Sequence, residues 1–468
     1  MAAKKQIGQI FTPDFLVNEI LDTAAYCGAT IVGKHVIDNS CGAGAFLCEI
    51  VRRYIKHCDQ QVIKQHLETY IHGIEIDQNA YNQCLENLNN IAAEYGLQNV
   101  DWDIKNADTL TIDDYNGRMD FVIGNPPYVR VHNLENYDAV KKFKFAEGGM
   151  TDLYLVFFEI GFNMLTPGGK LCYITPSSWI NSVAGGVLRK YISCHHNLVK
   201  LIDLGHFQAF DATTYTMISL FEKDVRHNVF NYQKYGDSHS ERLTIEETII
   251  GNTMYLSDRK TLKELREIFT ANHKKCVQVK NGFATLADSV FIGDNFPFKK
   301  FLIPTIKAST GKWHMAFFPY DKNGKPQPKE RIFEDDAIAN YLQNHKKHLL
   351  KGKTETENPD WYLYGRTQAL KDVWSQKYTV NTILKDVKSI KINAVPAGSG
   401  VYSGLYILTS VSMDVLTQII CNQDFINYIS VLKKYKSGGY YTFNSKELEA
   451  YLNYKLSRMF SNGKCELT

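Results

Sequence analysis

The sequence predicts a wound α/β protein followed by a second unit of different construction, and three observations predict it. Short apolar, β-branched runs alternate with helix-length amphipathic stretches from the start of the chain to about residue 221. A glycine-rich turn sits where the first of these runs ends and a helix begins. Past residue 240 the alternation stops, and Lys, Tyr and Asn become frequent without a βα rhythm. At 468 residues the chain also exceeds what one hydrophobic core ordinarily organises, which favours two domains.

Taken in chain order, helical patterns at 15–26, 45–55, 79–95 and 152–165 intercalate with strand-like runs at 35–38, 71–76, 121–124, 170–175, 199–204 and 216–221. Strands separated by helices pair in parallel, with the helices covering the sheet. The stretch 222–241 is polar and irregular and is expected to hold the exit from this first domain. The expected domains are therefore 1–240 and 241–468. No internal repeat at a solenoid period is present in the sequence.

Hydrophobic residues make up 44% and charged residues 22%, the balance of a globular chain rather than of a disordered or membrane protein. The opening MAAKKQIGQIFTPDF lacks the long apolar run of a signal peptide, and no later stretch approaches a membrane span, so a cytoplasmic protein without a membrane partner is expected. Ten cysteines are scattered without a C-x-x-C pair or zinc-like His/Cys spacing, which points to reduced thiols and no structural metal. A formal net charge of +3 permits a nucleic-acid partner without pointing to one.

The first chemical signal is Asp38-Asn39-Ser40-Cys41-Gly42-Ala43-Gly44 at the junction of strand and helix. Its glycines let the backbone approach a ligand closely. The next strand ends in Glu75-Ile76, where a carboxylate can accept both ribose hydroxyls of an adenosine. After a third short strand, Asp108 can accept from the amino group of an adenine ring, with Thr109 and Leu110 helping to enclose it. Three acidic positions in order at successive strand ends imply an adenosine-containing cofactor.

Asn125-Pro126-Pro127-Tyr128, directly after an apolar strand, separates methyl transfer from dinucleotide chemistry. An exocyclic amine conjugated to a heteroaromatic ring is a poor nucleophile because its lone pair is delocalised. The Asn125 carboxamide oxygen and the Pro126 carbonyl supply acceptors for its two hydrogens, and the two prolines fix the turn without adding amide donors. Tyr128 offers a flat face to a base that has lost its stacking. Catalysis of this kind is in-line displacement driven by positioning, with no catalytic His required.

These motifs resemble the gamma-class, TaqI-like amino-methylating DNA methyltransferases, over the whole chain and most strongly over 7–221. Gly8-Gln9-Ile10-Phe11-Thr12-Pro13 looks like that family's amino-terminal motif, which implies that Thr12 lies against the methionine moiety of the cofactor. The loop from Asp38 to Gly44 (with Ser40, Cys41 and Gly42), then Glu75 and Ile76, Asp108 and Thr109, and Asn125 to Tyr128 match the cofactor and catalytic motifs in the family's linear order. Met150 to Phe158 resembles the helix after the catalytic loop, and Leu165 to Lys170 the turn into the next strand. Ala209 to Thr216 resembles the segment whose aromatic packs on the far side of the extruded base, Phe210 being the aligned ring and Tyr215 its alternative.

The resemblance implies a class I, Rossmann-like S-adenosylmethionine-dependent methyltransferase sheet with a separate α+β target-recognition domain at the carboxyl terminus. It implies S-adenosylmethionine as cofactor, double-stranded DNA as partner, N6 of a flipped adenine as target, no metal, and service as the modification enzyme of a restriction-modification system. In the second half, Trp361 to Arg366 and Lys433 to Phe443 interleave cations with aromatics in a way that suits phosphate and base-edge contact. The chain starts almost at the cofactor motif, so a separate endonuclease partner is expected rather than a fused one. Cytosine as target, a protein-glutamine or RNA-guanine methyltransferase with the same Asn-Pro-Pro-Tyr turn, and a DNA-binding specificity component with an inactive fold are the competing readings.

Overall fold

The structure is a computed structural model that describes residues 12–134, 137–147, 151–207, 210 and 214–460. It divides into two compact units, Met1–Glu264 and Leu265–Thr468.

The first unit is built on one nine-stranded sheet. Its strands are β1 (Val36–Asp38), β2 (Ile71–Glu75), β3 (Asp103–Asn106), β4 (Met119–Gly124), β5 (Leu165–Pro176), β6 (Leu198–Asp203), β7 (Thr216–Glu222), β8 (Phe230–Lys234) and β9 (Ser240–Leu243). They lie in the order β3-β2-β1-β4-β5-β7-β6-β8-β9. The strands from β3 to β5 run parallel, and β7 enters antiparallel between β5 and β6. The helices of eight residues or more that lie wholly in this unit are α1 (Asp14–Thr23), α2 (Ala45–Ile55), α3 (Ile63–Tyr70), α4 (Gln78–Glu94), α5 (Leu153–Met164) and α6 (Gly186–His195) among the described residues.

Burial explains why these residues take these roles. Every residue of β1 and β2 is buried, as parallel strands covered on both faces require. Helix α2 buries Phe46, Leu47, Ile50, Val51 and Tyr54, a stripe at helical spacing, and leaves Arg52 and Arg53 for its last turn. The order reverses direction about β1, with β2 on one side and β4 on the other. That is the switch point at which an open α/β sheet leaves a crevice beyond its carboxyl ends.

The boundary differs from the expectation. The polar stretch 222–241 carries β8 and the start of β9 instead of a domain exit, and the unit continues to Glu264. The reason is visible in β8, where Phe230 and Tyr232 turn inward while Asn231 and Lys234 face water. A strand near the sheet edge needs only this thin alternation, which reads as a polar loop.

The second unit is α+β. One antiparallel sheet orders Gln278–Asn281, Leu405–Leu408, Lys377–Val380 and Ile392–Val395, and a second orders Ile292–Gly293, Lys312–Phe317, Leu302–Lys307 and Gly400–Tyr402. A small third sheet holds Ile383–Leu384, Tyr440–Thr442 and Tyr435–Lys436, and the longest helices are Asp336–Leu350 and Ser445–Met459. Trp361, Tyr362 and Tyr364 sit at 2%, 5% and 6% exposure in an aromatic core with Phe291, Phe317 and Tyr320. Trp361 donates to Glu355 and the Tyr364 hydroxyl to the Phe317 carbonyl. The expectation that these three rings approach DNA is therefore corrected: they are spent on the core.

Among the described residues no helix is long and apolar enough to cross a membrane, and no group of three His, Cys, Asp or Glu residues is placed to hold a metal ion.

Candidate functional site

Four adjacent parallel strands deliver the expected site residues to one edge of the sheet. Asp38 ends β1, Glu75 ends β2, Asp108 follows β3 by two residues, and Asn125 follows β4 directly. Parallel pairing of β3, β2, β1 and β4 makes this convergence a matter of register, not of loop conformation.

The loop after β1 is shaped by its glycines. Gly42 and Gly44 hold φ of +54° and +86°, a region closed to most side chains, and a Cβ on Gly44 would stand 2.8 Å from the Cys84 sulfur. Gly44 then starts α2, whose first amide groups face the loop. Ser40 donates to the Asn125 carbonyl at 3.3 Å, tying the loop to the turn after β4. The Cys41 thiol turns away into the core, so this residue shapes the loop through its backbone, whose N–H reaches the Ile74 carbonyl at 3.0 Å. Asn39, to which no role falls from the sequence alone, is fully buried and anchors the loop: its side-chain oxygen accepts from the Tyr173 hydroxyl and its carbonyl from the Thr109 hydroxyl.

Glu75 is buried and already holds two backbone donors, Gly42 on one carboxylate oxygen and Asp77 on the other, both at 2.8 Å. Each oxygen keeps a further lone pair, so the carboxylate can brace the loop and still accept two hydroxyls. Ile76 beside it leaves 55% of its surface open, an apolar plate next to the polar cradle. Asp108 is half-buried and caps the turn 109–111 by accepting from Leu110, while Thr109 is buried. The residues present fit an adenosine bearing a charged side chain: glycine backbone, a buried carboxylate with spare acceptor capacity, an exposed apolar face and a second carboxylate at a loop.

Burial pushes the Asp38 carboxyl up to about 7; the Ser40 N–H opposes this and the nearby Glu75 adds to it. An unfolded Asp titrates near ~3.9, so the folded state binds the extra proton between the two values. Stability contributed by this group is therefore greatest near pH 4, falls as pH rises towards 7, and stays low above. Asp38→Asn is expected to be more stable than the parent at pH 8, by on the order of 4 kcal/mol at most, with the gap closing near pH 4. Denaturant unfolding of both proteins across that range checks it; a gap independent of pH contradicts it.

The Asn-Pro-Pro-Tyr turn is fixed at several points. Gly124 leaves no room for a side chain, since a Cβ there would meet the Asp38 carboxylate at 2.5 Å. Asn125 donates from Nδ2 to the Thr12 hydroxyl at 3.0 Å, while its Oδ1 is buried with no hydrogen-bond partner among the described residues. Pro126 is buried and Pro127 half-buried, which closes the turn. Tyr128 donates to the Ile174 carbonyl on β5 at 3.1 Å, and burial holds its hydroxyl well above the usual range.

Phe210 is buried, with its ring edge-to-face on Tyr128 at 6.3 Å and 82°. The two rings share the site, but in this geometry they touch one another rather than framing a slot for a planar base. Tyr215, the alternative, meets His206 edge-to-face instead. Gly8 to Phe11 of the expected amino-terminal motif, Met150, Ala209 and Asp211 to Thr213 lie outside the described residues.

Comparison with known proteins places the chain among its relatives. Residues 44–210 match the family described as Eco57I restriction-modification methylase. The type II restriction enzyme and methyltransferase RM.Eco57I of Escherichia coli is 25% identical over 481 residues, covering 78% of this chain and 48% of its own length. The type II methyltransferase M.XhoI of Xanthomonas vasicola is 29% identical over 234 residues, covering 46% of this chain and 42% of its own. The chain thus spans about half the length of these curated relatives or less. Among solved structures, the type IIL restriction-modification enzyme MmeI in complex with DNA superposes with a TM-score of 0.61 at 11% identity, over 92% of this chain and 63% of MmeI. At that identity the likeness concerns the fold, and it extends across both units.

Proposed function

We propose that the chain methylates DNA, transferring a methyl group from S-adenosylmethionine to the exocyclic N6 amino group of an adenine flipped out of the double helix, as the modification activity of a restriction-modification system. The observation that carries the reading is the Asn125 carboxamide: a buried acceptor with no partner among the described residues, on a fixed turn beside a glycine-rich cradle. Other buried polar atoms are unmet too, those of Tyr26, Trp179 and Asn197 among them, and what sets this oxygen apart is its place on the turn beside the cradle.

When bound, the cofactor supplies a sulfonium-activated methyl group. Thr12, the loop from Asp38 to Gly44, Glu75, Ile76, Asp108 and Thr109 are the residues to hold it. Asn125 Oδ1 and the Pro126 carbonyl accept the two hydrogens of the target amine, which localises its lone pair. Tyr128 stacks on the extruded ring, its hydroxyl tether to Ile174 keeping the ring plane in place. Phe210 is the ring assigned to the far face of the base. Once the amine has attacked, its surplus proton is far more acidic than the neutral amine's and passes to water without a dedicated base.

Sequencing that reads modified bases tests this in cells producing the chain or its Asn125→Ala variant. N6-methyladenine at one recurring sequence in the first culture alone is expected. The same pattern on cytosine would change the target base, and no difference between the cultures would refute the proposal.

The second unit is read as the target-recognition domain, and its hairpin 435–442 as the part that faces DNA. Ser437, Gly438 and Gly439 make a tip with little side-chain bulk, both glycines holding positive φ. Lys385 and Lys436 are exposed around it, Tyr440 is 37% exposed, and the Lys385 ammonium stands 5.9 Å from the Tyr440 ring centre. Replacing Lys385 and Lys436 by Ala is expected to reduce the slope of log affinity against log salt by roughly 2, about 0.9 for each phosphate no longer neutralised. Anisotropy titrations with duplex DNA measure it, and an unchanged slope removes the hairpin from the interface.

A further inference from the structure

We infer that Thr12 is a positioning residue for Asn125, its hydroxyl anchoring the inner end of the carboxamide so that the outer end meets the target amine; this rests on the methyl-transfer reading above. The backbone of the catalytic turn is already pinned, through the Ser40 hydroxyl on the Asn125 carbonyl, the close fit of Gly124 on Asp38, and the Tyr128 hydroxyl on Ile174. One freedom remains at Asn125, a half-turn of its carboxamide, which exchanges an oxygen for an NH2 group with almost no change of shape. The two orientations are opposite in chemistry. With oxygen toward the site the amide accepts from the incoming amine; with NH2 toward the site two donors confront each other.

Thr12 holds the inner end of the amide, and the incoming amine, a donor, takes an oxygen at the outer end. The Thr12 side chain is 3% exposed, 113 residues away in sequence, and its hydroxyl oxygen receives the Asn125 Nδ2–H at 3.0 Å. In the productive orientation Nδ2 points into the protein, where a donor without an acceptor carries a desolvation cost. The hydroxyl, which can accept or donate, removes that cost and leaves the outer end of the amide, Oδ1 here, without a partner among the described residues. A methyl group in the same place would not. Thr12 thus acts on the nucleophile through Asn125, in addition to any contact it makes with the cofactor.

Thr12→Val keeps the shape and deletes the hydroxyl, while Thr12→Ser keeps the hydroxyl and trims the shape. For Thr12→Val, the single-turnover rate of methyl transfer to DNA at saturating cofactor is expected to fall about tenfold, the worth of one buried hydrogen bond. Because valine keeps the surface that Thr12 turns to the cofactor, cofactor dissociation constants from calorimetry are expected to move less than the rate does, and Thr12→Ser to recover most of the rate. If Thr12→Val weakens cofactor binding as much as it slows transfer, or if Thr12→Ser is as slow as Thr12→Val, the positioning role is overturned. A parent protein that transfers no methyl to DNA overturns the underlying reading instead, and that is seen before any variant is made.

Discussion

Asn125→Ala is expected to slow methyl transfer by two to three orders of magnitude while leaving the cofactor dissociation constant within a few-fold of the parent. The side chain contributes an acceptor that matters once charge develops on the amine, and removing one such preorganised group from a catalytic centre typically costs about 10²- to 10³-fold in rate. The loss falls on the chemical step because the residues assigned to the cofactor, Glu75 and Asp108 among them, sit at the ends of other strands. Single-turnover transfer with labelled cofactor gives the rate and calorimetry gives the affinity. A variant that loses cofactor affinity in proportion to its rate would show that Asn125 belongs to the cofactor site.

The opposite emphasis is expected of Glu75→Ala. Its carboxylate joins the loop after β1 to the loop after β2 through Gly42 and Asp77, and its spare lone pairs are assigned to two hydroxyls. Hydrogen bonds to a charged acceptor are worth about 1.5–3 kcal/mol each, so losing two from the ligand alone raises the cofactor dissociation constant by roughly 10²-fold or more. Two backbone donors also lose their partner, so the unfolding midpoint should fall as well. At saturating cofactor the rate should recover to within about tenfold of the parent, because the acceptors at Asn125 are intact. Cofactor affinity unchanged in Glu75→Ala would remove this residue from the site.

How far the sequence could be read depended on the range of the interaction. The strand ends were legible because each carries a residue type whose local reason is strong: glycines where φ is positive, a carboxylate closing a buried strand, an Asn-Pro-Pro-Tyr turn after an apolar run. What joins them was not. Asn39 is held by Tyr173 and Met164, 134 and 125 residues on, and nothing near Asn39 announces either partner. The bond from Asn125 to Thr12 is equally remote. The helices Ile63–Tyr70 and Gly186–His195 also went unseen, being short and modestly apolar.

Composition misled where a pattern has two physical solutions. Trp361, Tyr362 and Arg366 have the mixture of an exposed nucleic-acid surface, but the rings pack inward and lysines from elsewhere cover them, Lys346 over Trp361 and Lys329 over Tyr362. A stem of methylenes over a buried ring gives the same sequence signature as a cation beside an exposed one. In the segment Lys433 to Phe443 the mixture is divided: Lys436 and Tyr440 reach the surface at the hairpin tip beside two glycines, while Lys433 and Phe443 are buried.

The central claim is tested most directly by incubating the purified protein with S-adenosylmethionine labelled in its methyl group and unmethylated genomic DNA, then digesting the DNA to nucleosides and separating them. Label in N6-methyldeoxyadenosine, absent from a parallel reaction with Asn125→Ala, is the result the account predicts. Label confined to RNA or protein acceptors offered in the same assay, with none in DNA, would contradict it.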